Sequence, residues 1–247
     1  MRKHFFILAL LFGFANLANA QEFRISLYGQ QAIVTGDFAE ADLTNPSSGY
    51  AEFGSVSGFE FQYYPTGKWG FGIRSSFGFY DRSRNTYESD LAEALNLSTD
   101  FFDLTGGEAF FTGGSDLGAS YRLNVSEQFT IEPYFCVGFR AMRAPQTWLV
   151  FSQEGTTFNY RTKSEYYFGT AFAPGARFHF NVSNRFGINI HVEYASTSFA
   201  EETERTLLTS DDTFVISDFK RDYSINSVNA GISFWFSFGA DVMAQNE

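Results

Sequence analysis

From Trp69 to Phe79 the chain changes character at every residue. Trp69, Phe71, Ile73, Ser75, Phe77 and Phe79 occupy the odd positions, and Gly70, Gly72, Arg74, Ser76 and Gly78 the even ones. A period of two is the strand period, because successive side chains of an extended chain point to opposite faces. The pattern recurs from Phe129 to Phe139, where Thr130, Glu132, Tyr134, Cys136 and Gly138 form the more polar face. It recurs again from Phe186 to Tyr194, where Gly187, Asn189, His191 and Glu193 do so. Eight such segments can be marked, at 22–34, 57–65, 68–80, 114–124, 127–141, 166–181, 184–196 and 224–238. Three connections are tight, at 65–68, 124–127 and 181–184, and four are long, at 36–56, 81–113, 143–165 and 198–223. An even strand count, with short turns at one end and long loops at the other, predicts an all-β fold. Specifically, it predicts an eight-stranded antiparallel up-and-down barrel of the transmembrane kind.

An internal repeat fixes the phase of three hairpins. Gly58, Gly118 and Gly175 are each followed eleven residues later by an aromatic (Trp69, Phe129, Phe186), and two residues after that by Phe71, Ile131 or Ile188. Three equivalent hairpins leave the first and last strands to close the sheet.

Which face points outward follows from what each face carries. The chain holds 32 Phe and is 19% aromatic, while charged residues reach only 18%, below the roughly 25% of an ordinary soluble domain. The polar face is small, built of Gly and Ser with embedded charges, which suits a narrow interior filled by the larger side chains. The apolar face is dense in Phe, and Trp69, Tyr63, Phe129, Phe180 and Phe186 lie beside the short turns. They read as an aromatic girdle at one membrane interface. A soluble barrel would reverse the faces and bind a ligand inside; it is the weaker alternative.

The ends and the charges agree with export. Arg2, Lys3 and His4 precede an apolar run from Phe5 to Phe14 and an Ala18-Asn19-Ala20 cleavage site, predicting a secretory signal peptide over 1–20. The apolar run is half the roughly 20 residues of a membrane-spanning helix. The barrel is then assigned to 21–239, with a short C-terminal tail at 240–247. The loops 36–56, 81–113 and 198–223 together hold 18 acids and 5 bases, against a net charge of −11 for the whole chain. Such acidity argues against nucleic acid as a partner. A single cysteine, Cys136, excludes a disulfide framework and a cysteine-based zinc site.

The segments Thr130–Gly138, Pro174-Gly175-Ala176-Arg177-Phe178 and Val228–Phe234 give the chain a resemblance to the eight-stranded outer-membrane β-barrel family of the OmpA/OmpX type, in its Bacteroidota form. The resemblance implies residence in the cell outer membrane. It implies contact with outer-membrane lipid and lipopolysaccharide, assembly by the barrel-insertion machinery, and outward loops free to meet an extracellular partner. It implies no particular activity. The chain departs from such barrels in ending beyond Phe236 and Phe238 rather than on an aromatic.

The candidate functional residues are the charges that alternation turns inward: Arg24, Glu60, Arg74, Asp116, Arg122, Glu132, Arg140, Arg177, His179, His191 and Glu193. Glu60 falls opposite or diagonal to Arg74, and Glu132 diagonal to Arg122, so a lattice of salt bridges filling the lumen is expected. Catalysis is not: acyl transfer wants Ser, His and a carboxylate at the loop end, and neither His179 nor His191 lies there. No cofactor or metal is expected, since no D-x-D-x-D-G loop occurs. Ser89 is expected to cap a short loop helix carrying Leu91 and Leu95. The expected role is structural or surface-interacting, with a small porin-like channel as the alternative.

Overall fold

The computed structural model describes residues 22–94, 103–106, 109–153, 156–163, 165–209 and 214–239. The expected signal peptide and C-terminal tail lie outside the described residues. The strands, in chain order, are β1 (Glu22–Thr35), β2 (Ala51–Tyr64), β3 (Trp69–Arg82), β4 (Asp103–Gly106), β5 (Ala109–Tyr121), β6 (Leu123–Asn124), β7 (Phe129–Arg143), β8 (Thr147–Gln153), β9 (Thr156–Thr162), β10 (Tyr166–Ser183), β11 (Phe186–Phe199), β12 (Glu202–Thr209), β13 (Phe214–Arg221) and β14 (Ser224–Gly239). A single-turn 3₁₀ segment spans Asp37–Ala39, and one helix, α1, spans Arg84–Ala94.

Eight of these strands close a ring, each antiparallel to the next: β1, β2, β3, β5, β7, β10, β11, β14, and back to β1. All eight strands of the sequence reading are present. They run further at the long-loop end than expected, β2 starting at Ala51 and β5 at Ala109. Strand pairing persists there because each neighbour also continues, apart from a register shift between Ala51 and Gly54 in the β2–β3 ladder. The three tight turns are confirmed between β2 and β3, before β7, and between β10 and β11. In the first, Gly67 takes φ 72°, a conformation that glycine adopts without steric cost.

Alternation sorts the faces as expected. Leu27, Phe71, Ile73, Phe77, Leu117, Phe135, Val137, Ile190, Ile232 and Phe234 lie exposed on the outside of the ring. Glu22, Arg24, Ser26, Glu60, Arg74, Asp116, Glu132, Arg177 and Glu193 are buried within it. The interior is tight enough to demand small residues at close approaches. A Cβ on Gly175 would sit 2.6 Å from Tyr134 Cζ, and one on Gly70 would sit 2.6 Å from Tyr64 Cε1.

Beyond the ring, three of the four long connections are not simple loops but build a second sheet. Its order is β13-β12-β9-β8-β4. A separate apolar cluster of Tyr50, Tyr87, Leu91, Leu149 and Phe151 belongs to this loop region, with Tyr87 and Leu91 supplied by α1. The helix starts earlier than expected, so Ser89 lies inside it rather than at its cap. Ser83 precedes it, its hydroxyl 3.0 Å from Thr86 Oγ1, and Arg84 pairs with Glu88 one turn on at 2.7 Å. Leu95 lies outside the described residues.

Candidate functional site

The barrel interior is the one place where the described residues concentrate charge away from solvent. Arg24 comes from β1, Glu60 from β2, Arg74 from β3, Asp116 from β5, Glu132 and Arg140 from β7, Arg177 and His179 from β10, and His191 and Glu193 from β11. Arg122 follows β5 directly. All are buried except Arg140, which is half-buried. Each is on an inward position of its strand, so the placement is a consequence of the two-residue period alone.

The contacts divide into two groups. Near the short turns, Glu132 is the centre. It accepts hydrogen bonds from Arg177 (2.7 Å), Tyr64 (2.9 Å) and Gln62 (3.1 Å), and it lies 3.1 Å from His179 Nε2 and 3.4 Å from Arg122 Nε. Arg177 also holds both oxygens of Glu60, at 2.6 and 2.8 Å. Arg122 and Arg24 both donate to Glu22, which also accepts from Ser237 at 3.0 Å. This group contains three arginines and three carboxylates. Nearer the long loops, Arg74 bridges Asp116 (3.0 Å) and Glu193 (2.5 Å), and Arg140 grips both oxygens of Asp116. This group has two of each sign. Tyr134 joins the two: Arg177 lies 4.0 Å over its ring, and its hydroxyl donates to Glu193 at 2.7 Å.

Two expectations change. Glu60 does stand directly opposite Arg74 in the ladder, yet the two are not salt-bridge partners. The Arg74 guanidinium turns to Asp116 and Glu193, and Glu60 is taken by Arg177 from the far side of the barrel. Long side chains in a narrow lumen reach across it, so the ladder neighbour is not the electrostatic partner. Second, Glu22 was not among the candidates, which left five arginines facing four carboxylates. With Glu22 the count is five to five. Its signal was available, since Glu22 shares a face with Arg24 at the head of the first strand. The diagonal pair of Arg122 and Glu132 is in contact.

Both histidines have close neighbours within the wall. His191 Nε2 is 2.5 Å from Ser233 Oγ, which also accepts from Asn189 at 2.9 Å. Ser233 is 0% exposed and His191 is buried beside it. Among the described residues, no three of His, Cys, Asp and Glu are grouped to hold a metal. Cys136 is buried and unpaired to any other cysteine.

At the long-loop end an aromatic group crosses the lumen. Phe38, from the 3₁₀ turn, is fully buried and packs edge-on against Phe110 at 4.7 Å and Tyr223 at 5.6 Å. Tyr167 meets Tyr223 at 5.0 Å. Just outside, Tyr50 takes φ 55°, uncommon for an aromatic residue, and donates to Asp90 at 2.8 Å. Burial, reinforced by the Asp90 carboxylate, pushes its hydroxyl pKa up.

No family model matches the chain, and no curated protein matches it. Solved structures similar to it include a major outer membrane protein of Thermus thermophilus, 12% identical with a TM-score of 0.47, over 88% of this chain and 100% of that one. They include Ail, the attachment invasion locus protein of Yersinia pestis, 17% identical with a TM-score of 0.36, over 88% and 100%. They also include the outer membrane protease OmpT of Escherichia coli, 8% identical with a TM-score of 0.30, over 88% and 96%.

Proposed function

We propose that this chain is an integral outer-membrane barrel with a structural or surface-interaction role, a closed lumen and no chemistry of its own. The band of exposed Phe, Ile, Leu and Val around the ring supports the membrane placement, because such a surface is stable in lipid and costly in water. The observation that carries the closed lumen is the filling described above. Five arginines and five carboxylates cross-link the interior, and the gap bounded by Glu60, Tyr134, Cys136 and Arg177 has no room for a water molecule. The aromatic group around Phe38 covers the long-loop end. The absence of chemistry is supported by the burial of Ser233, His191 and His179 within the wall. The long loops, folded into a sheet of their own, are the surface offered to an extracellular partner.

The test is planar-bilayer recording of the refolded protein. The expected result is no steady unit opening. Steady openings that change in Arg74→Ala or Glu60→Ala, with the barrel still folded, would replace this reading with a narrow channel.

A further inference from the structure

One sector of the outer wall differs from the rest. On β5, β7 and β10 the outward residues form cross-strand rows. Gly113, Ala141 and Phe168 make one row, and Ser115, Phe139 and Thr170 make the next toward the short turns. Four of these six are small, and the two phenylalanines stand clear of the surface at 74% and 64% exposure. Between them lies a groove of about 510 Å³, of the order that small-molecule sites have. The next row toward the long loops is Phe111, Arg143 and Tyr166. Among the lysines and arginines of the described barrel strands, Arg143 alone is exposed: Arg24, Arg74 and Arg177 are buried, and Arg82 and Arg140 are half-buried. A cation on the outward face at the long-loop rim therefore sits one row above this apolar groove.

Charge singles out the same sector. The other three long loops hold 18 acids against 5 bases, but the 143–165 loop that rises from β7 to β10 carries Arg143, Arg161 and Lys163 against Glu154 and Glu165. An anionic headgroup approaching over β7 and β10 meets a loop with no net negative charge, although the acidic 81–113 loop runs into β5 on the other side of the groove. A guanidinium binds phosphate strongly because its planar donors match the oxyanion.

We propose that this groove seats an acyl chain of a phosphate-bearing lipid from the leaflet at the long-loop end, with Arg143 holding its phosphate. Gly113 and Ala141 leave room for the chain beside Phe139 and Phe168, and the loop joining β7 to β10 carries no acidic excess. The inference rests on the membrane placement proposed above.

The experiment is native mass spectrometry of the refolded full chain in neutral detergent, titrated with diphosphorylated lipid A and, separately, with the same lipid stripped of its phosphates. One bound molecule is expected for the phosphorylated form. Arg143→Gln should lower its affinity about fivefold, the effect of one basic residue at a charged membrane surface. Gly113→Leu should lower it too, by filling the groove. An added Cβ there meets nothing nearer than Phe77 Cδ1 at 3.7 Å, so the strand can carry the change. Lys68→Gln, in the turn at the opposite end, should leave affinity unchanged. Equal retention of the stripped lipid, indifference to both substitutions, or a protein dimer dissolved by Gly113→Leu would each overturn the proposal, the last by making a second copy the occupant. Insertion of the same samples into lipid vesicles separates the two readings: a barrel that inserts but retains no lipid refutes this site alone.

Discussion

Glu132 has no exposed surface and five neighbours able to donate to it. Its removal therefore leaves three buried arginines facing only Glu22 and Glu60, one positive charge without compensation. Glu132→Ala should cost roughly 3–5 kcal/mol of stability in urea unfolding of the vesicle-inserted barrel, the usual loss when one partner of a buried ion pair is deleted. A sharper test concerns Glu60. A double-mutant cycle of Glu60→Ala with Arg177→Ala should show strong coupling, because Arg177 holds both of its oxygens. The cycle of Glu60→Ala with Arg74→Ala should show markedly less, although those two residues oppose one another in the ladder. Gly175→Ala should destabilise by about 1–3 kcal/mol through crowding of Tyr134. Which residues face inward was legible in the sequence, because facing depends only on position along one strand. Which charge meets which was not. Arg177 and Glu60 lie on strands that are not neighbours in the ring, and no local spacing records a contact across the lumen.

The hairpins carry the strongest sequence signal, and the second sheet almost none. Gly118 and Gly175 recur at equal offsets because each lies where an inward side chain on the neighbouring strand, Cys136 or Tyr134, leaves no space for a Cβ. The strands β8, β9, β12 and β13 have no such constraint. They are rich in Thr and Phe, which suits a strand, but their two faces do not separate into polar and apolar, so period-two reading passes over them. The helix was placed too late for a related reason: Ser89 is a residue type that favours a cap, but Ser83 stands at the actual start. The element boundaries make a prediction. Replacing 147–162 with a short Gly-Ser linker should leave the barrel intact, since β7 and β10 pair without a break from Arg143 opposite Tyr166 to Phe129 opposite Phe180. Boiled and unboiled samples should still migrate differently in detergent gels. The strand β12 would lose its β9 partner, so limited proteolysis at 202–221 should accelerate.

At the scale of the molecule, the proposed membrane placement puts the two sheets in different solvents, and one substitution in each tests it. Ile190 lies mid-strand on the outer wall, opposite Phe178 and Ile232. Ile190→Arg should reduce vesicle insertion, at a cost of roughly 2–4 kcal/mol for a cation near the bilayer midplane. Val215 is just as exposed but belongs to the outlying sheet, and Val215→Lys should insert normally. Equal behaviour would mean that the outer wall does not face lipid. The ring itself closes at the seam between β1 and β14, which pair from Glu22 opposite Gly239 to Thr35 opposite Asn226. The ends of the barrel therefore lie side by side, stitched by the Glu22 contacts to Arg24, Arg122 and Ser237. Since the circle has no intrinsic first strand, its order of synthesis is not part of its architecture. A circular permutant that joins 239 to 22 through a short linker and opens instead within the 143–165 loop should assemble the same ring. What the native chain order does impose is timing: the seam cannot form until the last strand has been made, so until then the free edge of β1 has no β14 partner.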